Sequence, residues 1–472
     1  VELIVEADLS ADTDPYLDDH VFQGERVFPG VMGLEAMAQV AMALSGETGR
    51  PTFEEVKFNR PVVVPEGATV TIRLAAILKA PGLVEIALRS QETAFQVDHF
   101  RATCYLDSTP SNPECAATSP AFQDAGAACV PLDLDTDLYG GILFHSGRFR
   151  RLRGYQHLRA KACTAEISPD GTTQWFARYL PAKLVMGDPG AFDATIHAIQ
   201  ACIPQTTLLP VGVDKLVCSA EKSTGPWFVR AVERFRDGDH FTYDIEMMGA
   251  QGVVESRWEG LHLRMVGQKM VRPSWALPLL SNYCERRIQE LIPCAELAIL
   301  IERNGEAERP ARTDRAIQRT LGSDKLIQRR PDGKPQAVLC EEIEVSAAHA
   351  GDLTLAIAGT GQLGCDIELV LERPAQVWRD MLGADRFDLA QLIARETRED
   401  FSTAATRVWT ATESMKKAGL MIGAPLVFNS LDQDGWVLLE SGALVVATFV
   451  GQVREIGDRL AIAVLAKPDT RY

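Results

Sequence analysis

At 472 residues the chain exceeds what one ordinary hydrophobic core organises, so two to three domains are expected. A hydrophobic content of 46% with 24% charged residues is that of a soluble globular protein, and no apolar run approaches the ~20 residues of a membrane-spanning helix. The formal charge of −16 excludes a surface built to neutralise nucleic-acid phosphates, and an acidic protein partner would have to meet a local basic patch. Ten cysteines are scattered without a Cys-x-x-Cys pair, which fits reduced thiols in the cytoplasm rather than a disulfide frame or a zinc site.

The chain opens mid-pattern, at Val1-Glu2-Leu3-Ile4-Val5, a strand-like alternation without a start methionine, and reads as a piece of a longer polypeptide. His20, Gly24 and Pro29 then lead into a nearly all-apolar segment from Val31 to Leu44, expected to be a helix buried on most sides. Its two polar members, Glu35 and Gln39, stand four apart and share one face. Alternation predicts strands at Thr69–Lys79, Leu83–Gln91 and Phe95–Asp107, an antiparallel meander. Ser108 to Leu134, rich in Pro, Ala, Ser and Asp, reads as a connector.

The plan then repeats. A loop at Tyr139–Gly147 precedes strands near Tyr155–Ile167 and Thr172–Leu180, a helix from Pro189 to about Cys202, and strands at Trp227–Phe235, Phe241–Met248 and Gly252–Val266. Pro273 and Pro278 mark a junction near residue 275. Beyond it a charged helical stretch from Asn282 to Leu321 gives way to alternating short strands and helices. Two domains follow, 1–275 (halves of about 1–107 and 135–267) and 276–472.

His20 before one buried helix and Asp193 within another supply a base and an acid, which is what elimination of water requires. Removing a proton alpha to a carbonyl is work for a neutral imidazole, and hydroxide leaves only if an acid protonates it. Phe192, Ile196 and the first helix would surround Asp193 with apolar groups. His197 stands one helical turn after Asp193 on the same face.

His-x-x-x-Gly-x-x-x-x-Pro (His20, Gly24, Pro29), then Tyr-Gly…Phe (Tyr139, Gly140, Phe144), then Asp-x-x-x-His (Asp193, His197) resemble, in that order, the dehydratase domain of polyketide and fatty acid synthases. Gly141 stands where that family often has proline. The resemblance implies an α+β double hotdog fold, two curved antiparallel sheets each wrapping a helix. It also implies His20 as base, Asp193 as acid, His197 positioning the acid or a water, and a homodimer paired through the first hotdog. His145, next to Phe144, would line the substrate tunnel.

In the C-terminal part, Leu363-Gly364-Cys365-Asp366-Ile367-Glu368 reads as a strand that turns Asp366 and Glu368 to one face, a geometry suited to Mg²⁺. Trp409 to Lys417 is helical in type, with Glu413 and Lys417 on one face. With Asp332-Gly333-Lys334-Pro335 and His349 upstream, the order and spacing resemble 4′-phosphopantetheinyl transferases of the surfactin-synthetase type. That resemblance implies a second α+β domain, Asp366, Glu368 and Glu413 as metal ligands, Lys417 as the closing lysine of the motif, and Lys334 and His349 on coenzyme A phosphates. The reaction implied is transfer of phosphopantetheine to a carrier-protein serine.

Thr412, Cys365 and Ala348 depart from that family's pattern. Together the two parts resemble the C-terminal end of iterative, enediyne-type polyketide synthases, with an acyl carrier protein domain as partner. The alternative is a double hotdog that holds an acyl chain without dehydrating it, followed by a degenerate transferase scaffold.

Overall fold

The computed structural model describes residues 1–47, 49–107, 129–169, 173–178, 184–219, 225–267, 272–293, 297–323, 325–331, 333–338 and 342–468. It divides into two compact units, Val1–Met270 and Val271–Tyr472.

Among the described residues the first unit contains fourteen strands: β1 (Glu2–Leu9), β2 (Val21–Phe22), β3 (Glu25–Val27), β4 (Arg50–Phe58), β5 (Val63–Val64), β6 (Val70–Ala80), β7 (Leu83–Ser90), β8 (Phe100–Asp107), β9 (Leu152–Leu158), β10 (Ala162–Ile167), β11 (Thr207–Cys218), β12 (Trp227–Asp237), β13 (His240–Gly249) and β14 (Val254–Val266). Eleven of them make one antiparallel sheet in the order β1-β6-β7-β8-β4-β11-β14-β13-β12-β10-β9. The β4–β11 pairing, Val56 opposite Val213, joins strands of the first half to strands of the second.

Two helices pack against this sheet. Helix α1 (Gly30–Ser45) packs on β6, β7 and β8, and α2 (Pro189–His197), continued by a 3-10 turn to Cys202, packs on β10 and β12. The α1 sequence is apolar nearly all round because it is covered nearly all round. At Gly33 a Cβ would lie 2.5 Å from the Phe100 ring, so only glycine lets the helix approach β8 this closely.

Several expected elements differ. Residues 173–178 form no strand, and β8 begins at Phe100 rather than Phe95. β11 has no counterpart among the expected strands: Pro210 and Gly212 interrupt its pattern, and the structure places a register shift between them. Residues 108–128 of the expected connector lie outside the described residues.

The second unit contains α3 (Leu277–Leu291), β15 (Leu297–Arg303), α4 (Arg309–Leu321), β16 (Ile327–Arg329), β17 (Pro335–Ala337), β18 (Ile343–Ala350), β19 (Leu353–Thr360), β20 (Leu363–Leu369), α5 (Ala375–Thr397), α6 (Phe401–Lys417), β21 (Val427–Leu431), β22 (Val437–Ser441), β23 (Leu444–Gln452) and β24 (Arg459–Ala466). A three-stranded sheet runs β15-β19-β18 and a five-stranded one β20-β24-β23-β22-β21, all antiparallel. The charged stretch 282–321, expected to be helical throughout, is split by β15, whose Leu297-Ala298-Ile299-Leu300-Ile301 pairs with β19. Helix α6 lies across the larger sheet, capped by Asp400, which accepts from Thr403 N at 2.8 Å. Among the described residues no helix is long and apolar enough to cross a membrane.

Candidate active site

His20 owes its position to a two-residue hairpin. β2 pairs with β3 through Phe22 opposite Glu25, and both turn residues, Gln23 (φ 52°) and Gly24 (φ 85°), take left-handed backbone angles. That is the tight turn a hairpin favours, and glycine enters it without steric cost. The hairpin returns Val27 to His20: Val27 N donates to His20 O (3.1 Å), and His20 Nδ1 lies 2.7 Å from Val27 O. A carbonyl can only accept, so the proton sits on Nδ1 and Nε2 keeps a free lone pair. Pro29 then caps α1, its carbonyl accepting from Met32 and Gly33.

Asp193 sits in α2, whose start is held from two sides. The Asp188 cap accepts from Gly190 N (2.8 Å) and Ala191 N (3.2 Å), and buried Arg151 reaches Asp188 Oδ2 at 3.3 Å. Glu35 on α1 accepts from Val185 N (2.6 Å) and Met186 N (2.7 Å), fixing the segment that enters α2. At Gly190 a Cβ would stand 2.6 Å from Arg148 O, so this helix start tolerates no side chain.

The loop after Tyr139 brings the two motifs together. His20 and His145 form an isolated antiparallel bridge, Ser146 N donates to Asp19 O (2.9 Å), and Arg148 pairs with the Asp19 carboxylate. The His20 ring consequently packs edge-on against Phe144 (centroids 5.0 Å) and His145 (4.9 Å). One nitrogen of His20, one of His145 and a carboxylate oxygen of Asp193 lie within 4.8 Å of one another. His20 and Asp193 are each only 7% exposed, and both face an apolar cavity of about 470 Å³ lined also by Leu34, Phe58 and Trp258.

Asp193 Oδ2 is met by two imidazoles, His197 Nε2 at 2.9 Å and His145 Nε2 at 3.4 Å. Neither contact is aligned as a hydrogen bond, and Asp193 Oδ2 and His197 Nε2 are both left without a hydrogen-bond partner. The Tyr139 hydroxyl accepts from Leu152 N (3.4 Å) and faces His197 Nδ1 (3.4 Å), which assigns the Tyr139 proton to that contact and the His197 proton to Nε2. Burial pushes the Tyr139 phenol up, so it remains a donor at neutral pH. Burial also pushes His20 below the ordinary histidine value, with the Asp193 charge opposing, and pushes His145 further down, its histidine neighbours adding to the effect.

The fold thus brings His20, Phe144, Asp193 and His197 to one cavity, with Tyr139 behind them against His197 and with Gly24 and Pro29 on the approach to His20 and α1. Reading the sequence gives Glu35 no functional role. Its one signal is a carboxylate on an otherwise apolar helix.

In the second unit Gly364 passes so close to Ser414 O that no side chain fits, and this presses β20 onto α6. Lys417 Nζ reaches Asp366 Oδ1 at 2.7 Å, and Trp409 Nε1 donates to Glu368 Oε1 at 3.4 Å. Glu413 and Lys417 stand one turn apart on α6, Glu413 pairing with Lys416 at 2.5 Å while Lys417 reaches Asp366. Burial, with Glu368 and Glu413 adding, raises the Asp366 carboxyl to about 6 against the opposing Lys417.

Among the described residues, Asp366, Glu368 and Glu413 do not close to the mutual spacing of the His20 group. Asp366 Oδ2 is nonetheless buried without a partner, and an all-carboxylate donor set matches a hard divalent cation. His349 is held by Thr313 (3.0 Å) and Thr354 (2.9 Å), and burial beside Arg309, Arg312 and Lys417 lowers it to about 4. Lys334 pairs with Glu344 at 2.8 Å, and Asp332 lies outside the described residues.

Residues 1–97 match the family model described as polyketide synthase dehydratase domain, and residues 129–273 the one described as polyketide synthase dehydratase N-terminal domain. The PKS-NRPS hybrid synthetase cheA of Chaetomium globosum is 23% identical over 304 residues, 58% of this chain and 6% of that protein. A polyunsaturated fatty acid synthase subunit of Thraustochytrium sp. is 25% identical over 216 residues, 44% of this chain and 8% of that protein. The chain thus spans less than a tenth of these relatives. The solved dehydratase domain from the CurF module of curacin polyketide synthase superposes with a TM-score of 0.47 at 19% identity, covering 56% of this chain and 94% of that one. On the two family matches, residues 1–97 and 129–273 belong to the polyketide synthase dehydratase family, with its hotdog fold.

Proposed function

We propose that the first unit removes water from 3-hydroxyacyl thioesters carried on an acyl carrier protein. The observation that carries this reading is His20, its Nδ1 held on Val27 O and its Nε2 left for base work, beside the Asp193 carboxyl in one cavity. His20 Nε2 takes the proton alpha to the thioester carbonyl, and the C–H electrons form the new double bond. The C–O bond breaks as Asp193 gives its proton to the departing hydroxyl, so water leaves. His20 then holds one proton and Asp193 lacks one, and transfer between them resets the site. His197, steadied by Tyr139, orients Asp193. Conversion of a synthetic 3-hydroxyacyl thioester to its enoyl product by the purified chain tests the reading. A chain that binds the thioester without converting it supports the holding role instead.

The second unit is read as a 4′-phosphopantetheinyl transferase that primes a carrier-protein serine from coenzyme A, within an iterative synthase of the enediyne type. Asp366, Glu368 and Glu413 would hold Mg²⁺, which when bound stabilises charge developing on the pyrophosphate. Glu413 takes the serine proton, directly or through water. Arg309, Arg312 and Lys417, whose charges all act on His349, would supply positive charge for the coenzyme A phosphates, with His349 neutral beside them and Lys334 paired with Glu344. Mg²⁺-dependent transfer of labelled pantetheine to a carrier protein tests this, and its absence leaves the unit as a scaffold. The chain is further expected to work in the cytoplasm as a homodimer paired through the first unit. Sedimentation as a 51.7 kDa monomer at micromolar concentration would rule the dimer out.

A further inference from the structure

We propose that His20, His145 and Asp193 form a binding site for a divalent cation of the zinc class, and that its occupancy switches dehydration off. The three side chains offer two nitrogens and a carboxylate oxygen within 4.8 Å of one another, all buried. Two imidazoles and one carboxylate suit Zn²⁺ or Co²⁺, and an all-oxygen set would be needed to favour Mg²⁺ or Ca²⁺.

Two further features point to a ligand. The His20 ring is already held as metal-binding histidines are held, with Nδ1 on a backbone carbonyl at 2.7 Å, which leaves the other nitrogen as the ligand atom. Asp193 Oδ2 and His145 Nδ1 are buried polar atoms with no hydrogen-bond partner, a state that ordinarily costs about 1–3 kcal/mol each and that a cation at Asp193 would relieve.

The backbone bridge between His20 and His145 fixes the spacing of the two imidazoles, so ordering them for a cation requires little further movement. With three protein ligands, a fourth position opens into the cavity, where a water or a substrate oxygen fits. Switching off follows from atom economy. The His20 lone pair that would abstract a proton and the Asp193 oxygen that would deliver one are the same atoms the cation takes. This second half of the proposal rests on the roles given above to His20 and Asp193, whereas the binding half does not.

The test uses the full chain with Co²⁺ as a spectroscopic probe, and Asp366→Ala to remove the carboxylate cluster of the second unit as a competing site. A visible absorption band of a low-coordinate nitrogen-ligated Co²⁺ should appear in the wild type and persist in Asp366→Ala. In His145→Gln the Co²⁺ affinity should fall at least tenfold. Should that variant lose its fold by circular dichroism, His20→Gln is read by the same titration. Unchanged affinity in the histidine variant, or no band in the wild type at submillimolar Co²⁺, overturns the site.

Zn²⁺ titrated into the dehydration assay should then remove activity in step with occupancy, and EDTA should restore it. Full occupancy with undiminished turnover overturns the switch while leaving the binding site standing. A chain that shows no turnover before Zn²⁺ is added contradicts the proposed dehydration itself, not the site.

Discussion

The two clusters of titratable groups solve opposite electrostatic problems. In the first unit Asp193 lies in an apolar cavity against imidazoles, and burial is the largest influence on His20 and His145. In the second, each carboxylate meets a donor side chain: Lys417 at the buried Asp366, Trp409 at Glu368, Lys416 at Glu413. A buried imidazole kept neutral is suited to moving protons, whereas compensated carboxylates are suited to gathering cations and phosphates. The same residue types therefore serve different chemistry according to how much water and countercharge surrounds them.

The sharpest way to break that contrast is to remove one proton-transfer group. His20→Ala and Asp193→Asn should each lower dehydration by about 10³-fold or more with the fold retained, since losing a positioned acid or base typically costs 10²–10⁴. Glu413→Ala should leave dehydration unchanged and abolish carrier loading. Near wild-type turnover in Asp193→Asn would show that the acid is elsewhere.

Chelation tests the same contrast without mutation. EDTA should stop pantetheine transfer and leave dehydration of a preformed acyl thioester intact, because proton transfer between His20 and Asp193 requires no cation. Loss of both activities at constant circular dichroism would refute the independence of the two sites.

Glu35→Gln asks how far the acid depends on its supports. The buried carboxylate accepts from Val185 N and Met186 N, and an amide in its place keeps one good acceptor while turning a donor toward the other. About 1–3 kcal/mol of stability should be lost, and dehydration should fall about tenfold through misplacement of α2. Thermal unfolding and turnover together would show whether the two losses travel together.

Much of this arrangement is legible in the residues. The apolar run 31–44 and the alternating strands announce themselves by period, whereas the hairpin that holds His20, with Gly24 in its turn, appears only in the structure. Contacts between distant segments are not legible. Glu35 meets Val185 and Met186 about 150 positions later through backbone N–H groups, which carry no residue signature. His145 reads as an ordinary tunnel-lining residue until the backbone bridge sets it beside His20. β11 hides because Pro210 and Gly212 break its pattern, and β15 because charged helices flank it on both sides.

The smallest expected effect is a dependence of stability on pH. His20 and His145 titrate below the ordinary value of about 6.5 in the folded chain because burial disfavours their charged forms. The unfolded chain therefore binds protons first as pH falls. Stability from these groups is fully present above about 6.5 and declines as pH drops toward their folded values, by about 1.4 kcal/mol per pH unit for each group still neutral in the fold. Asp366, raised to about 6, works in the other sense: holding its charge opposes folding above that pH, and the penalty fades as pH falls through 6 to below 4. Acidification from pH 7.5 to 5 should thus destabilise the first unit, whereas in the second the His349 imidazole, lowered to about 4, offsets what Asp366 gains. The His145→Gln variant should lose less stability than the wild type over that interval. Equal losses in the two proteins, followed by tryptophan fluorescence during urea unfolding at each pH, would mean that burial does not hold His145 neutral.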